Sequence, residues 1–287
     1  MLRKEDLQIV TVSENTSTGR GLLGEWGLSV FIKTPDLHIL LDAGASGAIS
    51  QNLDSLGIDP VRIGTLVLSH GHSDHTGGLH TLLLKRQKRE LNIVAHPAVW
   101  APKYSKDRST GNLRYAGLPF NREELESLGA RFSLTAEPTW ITADIVTSGL
   151  EPMETEFEAV AENLYVREGR EFVQDPMEDD QSLFLKTELG LVIILGCAHR
   201  GVVNVIRHAR KLTGVERVYM VLGGTHLGPA SEQQVLSTIS ALREIGIRRL
   251  GVSHCTGLKV ASMLAREFGE KFFFNNVGTT IELPFNP

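Results

Sequence analysis

Short apolar runs bounded by turn residues alternate along this chain with longer segments whose apolar residues recur at helical spacing. The runs that best fit buried strands fall in two regions of the chain: residues 29–34, 37–41 and 65–68 in the first, and residues 182–187, 191–195 and 218–222 in the second. Each run is short for a helix, and several are rich in valine and isoleucine, which favour strands. This alternation predicts an α/β fold.

The strand pattern occurs twice. In each copy, a hairpin of two strands precedes a helix-like segment, which leads into a third apolar strand. The third strand ends just before His70 in the first copy (residues 1–100) and before His226 in the second (residues 180–287). A duplicated ββαβ unit predicts an αββα sandwich, in which two mixed β-sheets pack face to face with helices outside. We expect one domain over residues 1–287, with both strand ends at one rim.

The segment between the two copies, residues 100–178, has weak periodicity and several prolines. Long irregular segments inside compact domains are usually lids or binding loops, so we interpret it as an insertion that partly covers a site. Arg108, Arg114 and Arg122 within it could hold a phosphate, although such a group of arginines is more often surface charge.

Four side chains able to bind metal follow the strand at residues 65–68 in the segment His70-Gly-His72-Ser-Asp74-His75. His70 and His72 can turn their imidazoles to one side and share an ion, while Asp74 and His75 project toward a second. Mixed imidazole and carboxylate ligands suit transition metals better than calcium or magnesium. The spacing predicts two divalent ions, with zinc favoured and manganese or iron as alternatives.

The composition limits the classes of partner that we expect for this protein. The chain has 287 residues, 41% hydrophobic and 22% charged, which is enough for one sizeable core. Its net charge of −5 gives no basic surface for nucleic acid, and no apolar run is long enough to cross a membrane. The start of the chain lacks a signal-peptide pattern, so we expect a soluble, cytoplasmic protein. Its two cysteines, Cys197 and Cys255, each lie within two residues of a histidine, which favours reduced thiols near metal.

The segment from His70 to His75 resembles the HxHxDH signature of the metallo-β-lactamase fold superfamily. Further segments are similar to one subgroup, the 7,8-dihydropterin-6-yl-methyl-4-(β-D-ribofuranosyl)aminobenzene 5′-phosphate synthase-like proteins, along nearly the whole chain. These segments are Gly27-Leu-Ser29, Leu40-Leu-Asp42-Ala-Gly44, Asp179-Asp-Gln-Ser-Leu183, Gly196-Cys-Ala-His199, Gly223-Gly-Thr-His226-Leu and His254-Cys-Thr-Gly257. The resemblance implies a dinuclear metal centre, and it implies that Asp42 supports the metal loop without binding metal.

Superfamily members take a third histidine, a bridging aspartate and a last histidine from the second half. At the aspartate position this chain has Cys197, which is either a thiolate ligand or a small buried residue. No histidine stands near residues 179–181, where the third is expected, so His199 is the nearest replacement and Asp180 a weaker one.

The last ligand has two candidates. The internal repeat points to His226, whereas the resemblance points to His254. One would bind metal and the other would donate a proton or clamp the substrate. Asp74 would orient the attacking group. Trp26 stands where the subgroup commonly has a histidine, which predicts a different pocket.

Three functions fit these residues. The first is a metal-dependent enzyme acting on a phosphate or diphosphate ester of a small molecule, either a hydrolase or a pterin-type transferase. The second is hydrolysis of a lactone, carboxylic ester or thioester, because the same ligands serve acyl chemistry. The third is a non-catalytic metal or redox sensor based on Cys197.

Overall fold

The computed structural model describes residues 1–286. Its strands, in chain order, are β1 (Gln8–Ser13), β2 (Ser29–Lys33), β3 (His38–Leu41), β4 (Thr65–Val67), β5 (Leu91–Ala95), β6 (Lys103–Lys106), β7 (Leu113–Tyr115), β8 (Ala130–Leu134), β9 (Trp140–Thr142), β10 (Ile145–Thr147), β11 (Leu164–Glu168), β12 (Glu171–Gln174), β13 (Leu183–Thr187), β14 (Gly190–Leu195), β15 (Val218–Gly224), β16 (Arg249–Ser253), β17 (Phe272–Phe274) and β18 (Thr280–Glu282).

The α-helices are α1 (Ala48–Ser55), α2 (Ser73–Thr76), α3 (Leu79–Lys85), α4 (Arg122–Ser127), α5 (Val202–Thr213), α6 (Glu232–Ile245) and α7 (Leu258–Phe268). Helix α5 ends at Gly214, whose φ of +69° closes the helix in the left-handed conformation that glycine adopts without strain. None of the helices in the described residues has the length and apolar character needed to cross a membrane.

Two seven-stranded mixed sheets form the centre of the molecule, in the orders β18-β1-β2-β3-β4-β5-β8 and β17-β16-β15-β14-β13-β10-β9. The predicted repeat is present in both. Strands β2 and β3 pair antiparallel and β3 pairs parallel with β4. Strands β13 and β14 pair antiparallel in the same way, and β14 pairs parallel with β15.

The sheets pack face to face through fully buried apolar side chains, such as Val30 and Leu41 on one and Ile194 and Leu222 on the other. Helices α1, α3 and α4 cover the outer face of the first sheet, and α5, α6 and α7 cover that of the second. Each strand of the core is therefore buried on both sides, which explains its continuous apolar sequence. The predicted αββα sandwich is confirmed.

The segment 100–178 contains more regular structure than its pattern indicates. Strands β6, β7, β11 and β12 form a separate antiparallel sheet in the order β12-β11-β6-β7, which we call the small sheet. Strand β8 extends the first main sheet, and β9 and β10 extend the second. These strands are three to five residues long, and all of them except the buried β10 include exposed or half-buried positions, so they lack the long apolar runs that mark the core strands.

Candidate metal centre

The site lies where strands of both main sheets end. The loop after β4 and helix α2 carry the HxHxDH segment, and the loops after β14, β15 and β16 carry the other candidates. In a sandwich of this kind the strand ends meet at one rim, as the repeat predicts. The candidate residues brought to this rim are His70, His72, Asp74, His75, Cys197, His199, His226, His254 and Cys255.

Gly196 allows the two halves of the chain to pack closely at this site. A Cβ atom at Gly196 would lie 2.1 Å from the Ser69 hydroxyl oxygen, which is closer than real side chains tolerate. Glycine at this position therefore allows the loop after β14 to lie directly against the loop after β4. This contact places Cys197 beside the HxHxDH segment.

The first group of possible metal ligands is His70, Cys197 and His199, whose ligand atoms lie within 4.8 Å of one another. The Nε2 atoms of His70 and His199 are 3.3 Å apart. The ring of His72 packs against both, with centroid distances of 4.7 Å to His70 and 5.1 Å to His199. His199 therefore lies beside both His70 and His72, and Asp180 is in none of the ligand groups found in the described residues.

The second group is His75, Cys197 and His254, again with ligand atoms within 4.8 Å. The Cys197 Sγ is 3.2 Å from His75 Nε2. His254 Nε2 is 3.2 Å from a carboxylate oxygen of Asp74. Cys197 thus belongs to both groups and lies between them.

His226 falls in a third group, with Cys197 and Cys255. Its backbone N–H donates to Cys255 Sγ at 3.3 Å, and its ring lies 4.0 Å from that of His199. Both cysteines are buried free thiols, as expected from their number and spacing. The place of Cys255 among the possible ligands was not predicted; its position two residues beyond β16 was the available signal.

Backbone strain is concentrated here. Asp42, Ala198, His226 and His254 have φ values of +59°, +50°, +48° and +51°. Residues other than glycine rarely adopt such values, which cost about 1–3 kcal/mol each and cluster at functional sites. Ala198, His226 and His254 lie in the loops that carry candidate ligands, and Asp42 lies directly behind them, whereas Gln87, Lys88 and Met177, which also have positive φ values, lie elsewhere.

The donor set fits a bound cation. His72 Nε2 and His199 Nδ1 are buried and have no hydrogen-bond partner among residues 1–286. Burial and the neighbouring histidines hold the pKa values of His70 and His199 well below their ordinary range. Neutral imidazoles are the form that binds metal, and rings whose nitrogens face one another without acceptors suit a cation between them.

Asp42 supports the centre from behind. Its Oδ2 lies 2.6 Å from His75 Nδ1 and accepts a hydrogen bond of 2.6 Å from the Ser69 hydroxyl, while its Oδ1 accepts from the Ser69 N–H at 2.7 Å. Burial disfavours the protonated ring of His75, but the Asp42 carboxylate outweighs this effect and raises the pKa of His75 to about 9. The contact fixes the ring so that Nε2 faces Cys197.

We predict that Asp42→Asn weakens metal binding by about 10- to 100-fold, because the ring of His75 loses the carboxylate that orients it and increases its basicity. Competition with a chromophoric chelator measures the change. The exposed turn residue Asp36, changed to asparagine, is the control and should leave affinity unaltered. Equal affinities for parent and Asp42→Asn protein would contradict the role assigned to Asp42.

A buried ion-pair network holds the metal loop. The Gly71 N–H donates to Asp179 Oδ2 at 2.8 Å. Lys103 of the small sheet, 1% exposed, donates to Asp179 and Asp175 at 2.7 Å each. Burial opposes the charge on Lys103, but the two carboxylates raise the pKa of Lys103 above its usual value. Sequence pattern gave no signal for Lys103, because it lies in the weakly periodic segment.

A second buried acidic pair lies behind the loop after β14. Glu151 is fully buried, and burial followed by the neighbouring Asp180 raises its pKa well above the ordinary range. Burial likewise raises the pKa of Asp180 to about 7. Raised carboxyl pKa values favour folding at low pH, and this contribution is lost as pH rises through the folded-state values.

We therefore predict that Glu151→Gln increases stability relative to the parent progressively from pH 5 to pH 8, by about 1.4 kcal/mol per pH unit at most. Urea unfolding in the presence of chelator measures this difference without metal-linked protons. The exposed Glu154, changed to glutamine, is the control. A stability difference that is constant across this pH range would show that the pair does not titrate in the folded protein.

A cavity of about 210 Å³ opens onto the centre. Candidate ligands form its floor, and Trp26 lies at its edge with its ring 4.8 Å from that of His254. Its outer wall comes from the small sheet and includes Ser105, Arg114 and Asn163. Of the other two arginines considered for phosphate binding, Arg122 pairs with Glu126. Arg108 donates to the carbonyl of Pro229, which lines this cavity, and it lines the adjoining cavity together with His226.

Comparison with known proteins agrees with this architecture. The sequence is 32% identical to 7,8-dihydropterin-6-methyl-4-(β-D-ribofuranosyl)-aminobenzene-5′-phosphate synthase of Methanocaldococcus jannaschii, over 97% of each chain. The crystal structure of Tm1679, a metal-dependent hydrolase of the β-lactamase superfamily, matches with a TM-score of 0.83 and 28% identity, over 96% of this chain and 99% of that one. Zinc-bound PqqB from Methylobacterium extorquens shares the fold, with a TM-score of 0.55 and 13% identity over 96% and 100% of the two chains.

The family model described as the metallo-beta-lactamase superfamily matches residues 27–211, which include the HxHxDH segment, Cys197 and His199. The match covers more than half of the chain, and the synthase relative extends the similarity to almost all of it. On this evidence the chain belongs to the metallo-β-lactamase superfamily.

Proposed function

We propose that this protein is a metal-dependent enzyme that acts on a phosphate or diphosphate ester through a dinuclear centre. The observation that carries the proposal is that Cys197 belongs to three ligand groups, two of which also include a histidine of the HxHxDH segment. The class of substrate is supported by the similarity to a synthase whose name includes a 5′-phosphate and by the similarity to a metal-dependent hydrolase.

The ligands are assigned by proximity. One ion would be held by His70, His72 and His199, and a second by Asp74, His75 and His254, with the thiolate of Cys197 between them. Zinc accepts thiolate, imidazole and carboxylate together, and iron also accepts thiolate, whereas manganese suits the same set less well because of its sulfur. When bound, such ions would polarise a phosphoryl oxygen and acidify a coordinated nucleophile.

Asp74 is placed to orient the attacking group. Burial opposes its charge, but the hydrogen bond from His254 and the neighbouring histidines hold the pKa of Asp74 well below its ordinary range. It is therefore an ionised acceptor at neutral pH, and it faces the cavity. A hydrogen bond to this carboxylate would align a water molecule or a substrate nucleophile.

His226 is the better of the two candidates for proton donor. It lies outside the two groups that share Cys197 with the HxHxDH segment, and it lines both the site cavity and the adjoining one. Its Nδ1 has no partner among residues 1–286. It could thus give a proton to a leaving oxygen, while the Trp26 ring at the cavity edge packs against the leaving group.

A substrate panel tests this function. Protein loaded with zinc, manganese or iron is assayed against a phosphodiester, a phosphomonoester, and a dihydropterin methyl diphosphate with a ribofuranosyl aminobenzene phosphate as acceptor. We expect turnover of at least one of them, and loss of that turnover in His72→Ala protein. Turnover of lactones or thioesters with no reaction of any phosphate substrate would instead select acyl hydrolysis.

A further inference from the structure

The small sheet presents one polar row to the metal centre. Ser105 of β6 pairs directly with Arg114 of β7 on one side and with Leu164 of β11 on the other. The Asn163 amide, next to Leu164, donates to the Ser105 hydroxyl at 3.3 Å. All four residues line the cavity above the candidate ligands.

The opposite face of the small sheet carries aromatic side chains. Tyr104 packs edge-on against Tyr115 and Phe172, with ring centroids 5.4 Å and 4.9 Å away. Because side chains alternate between the faces of a strand, these aromatic residues point away from Ser105 and Arg114. Arg167 of β11 pairs with Phe172 and belongs to this outer face. The sheet therefore directs its polar side, including one cation, toward the cavity.

Arg114 is the side chain in this row that carries charge. Within residues 1–286 it forms no ion pair or hydrogen bond, whereas Arg122 and Arg131 pair with Glu126 and Glu90. A guanidinium offers donors in a planar fork that matches phosphate or carboxylate oxygens, and such bonds are stronger than neutral ones. The nearby Ser105 hydroxyl and Asn163 amide could add further donors.

We propose that Arg114, with Ser105 and Asn163, forms an anion subsite that binds a second negatively charged group of the substrate, remote from the bond that reacts at the metals. This subsite rests on the proposed function, because it assumes that the reacting group binds at the centre below. Phosphate is the group expected there, because the proposed substrate is a phosphate or diphosphate ester. The substrate class is then a molecule with two anionic groups, one at each end of the cavity.

Calorimetric titration tests the subsite without relying on turnover. Zinc-loaded protein is titrated with alkane bisphosphates of increasing chain length and with alkyl monophosphates of the same lengths. We expect the best bisphosphate to bind about 10- to 100-fold more tightly than its monophosphate, the range for a charge-assisted contact. Arg114→Gln should bring this ratio close to one while leaving monophosphate affinity unchanged.

Arg167→Gln is the matched control, because it removes an exposed arginine from the outer face of the same sheet and should keep the preference. Arg114 is also exposed, so its replacement should leave the melting temperature of the protein unchanged. An Arg114→Gln protein that retains the preference would overturn the subsite. So would a parent protein that binds monophosphates but prefers no bisphosphate at any length.

If the proposed function is wrong, the titrations give a different result. If metal-loaded parent protein binds no phosphate compound at all, the phosphate-ester function is wrong, and the titrations are repeated with dicarboxylates and monocarboxylates. A dicarboxylate preference that disappears in Arg114→Gln protein would still support the anion subsite. No preference in the parent with these compounds either would refute it.

Discussion

Asp74→Asn protein is expected to lose about 10²- to 10⁴-fold in kcat/KM while keeping its fold, the size of effect that removal of a general base or an orienting acceptor produces. Asparagine preserves the shape of the side chain but removes its charge. The His254 ring, 3.2 Å away, then loses its anionic partner, and the cavity loses its ionised acceptor. Steady-state kinetics on the substrate identified by the panel measure the loss.

A control variant and a measurement of metal content show whether the loss of kcat/KM comes from the role proposed for Asp74. Asp54→Asn changes an exposed carboxylate that bonds to Lys85 far from the cavity, and it should leave kcat/KM unaltered. Metal content measured on Asp74→Asn protein separates orientation from ligation, since a ligand's loss should also release metal. Near-parental kcat/KM in a fully loaded Asp74→Asn protein would remove Asp74 from the mechanism.

Lys103→Met is expected to destabilise the protein by about 3–5 kcal/mol, the cost of removing one partner from a buried ion pair. Asp175 and Asp179 would remain buried without their cation. Burial already raises the pKa of Asp179, and Lys103 counteracts this shift. Chemical denaturation at neutral pH measures the change in the free energy of unfolding.

Lys106→Met is the control, because it removes a lysine from the exposed end of the same strand. The double variant Lys103→Met with Asp179→Asn should be less destabilised than the sum of its single changes, because one buried charge is removed with its partner. Full additivity, or a loss below about 1 kcal/mol for Lys103→Met, a value typical of exposed pairs, would show that the network contributes little.

Sequence pattern predicted the central strands of the main sheets, β2 to β4 and β13 to β15, because these strands are buried on both faces and are therefore nearly uninterrupted apolar runs. The HxHxDH segment was equally visible, since its ligands are close in sequence. The small sheet was not predicted. Its strands are short, and one face of the sheet lies toward the candidate metal centre while the other lies toward solvent. They include charged residues such as Lys103 and Arg114, so their sequences show no regular apolar pattern.

The candidate ligands in the second half of the chain were harder to assign from sequence, because their positions depend on contacts between distant residues. Whether His226 or His254 approaches Asp74 depends on how far the loops after β15 and β16 fold back, and this is set by tertiary contacts. The His254 N–H donates to Glu14 at 2.8 Å, and its ring bonds to Asn15 at 2.9 Å, so the end of β1 fixes its position. Those partners are some 240 positions away in the chain.

The role of Cys197 could not be assigned from sequence for the same reason. Its sequence position left it open whether the thiol binds metal or fills a small buried space. The structure places it 3.2 Å from His75 Nε2 and within the group of His70 and His199. The close packing of Gly196 against Ser69 allows this arrangement, and no local sequence pattern indicates that contact.

X-ray absorption spectroscopy of zinc-loaded protein tests the dinuclear centre joined by Cys197 most directly. We expect that two zinc equivalents remain bound through gel filtration and that sulfur scatters at about 2.3 Å, with its contribution lost in Cys197→Ser protein. Retention of one equivalent, or two equivalents surrounded by nitrogen and oxygen alone, would contradict it.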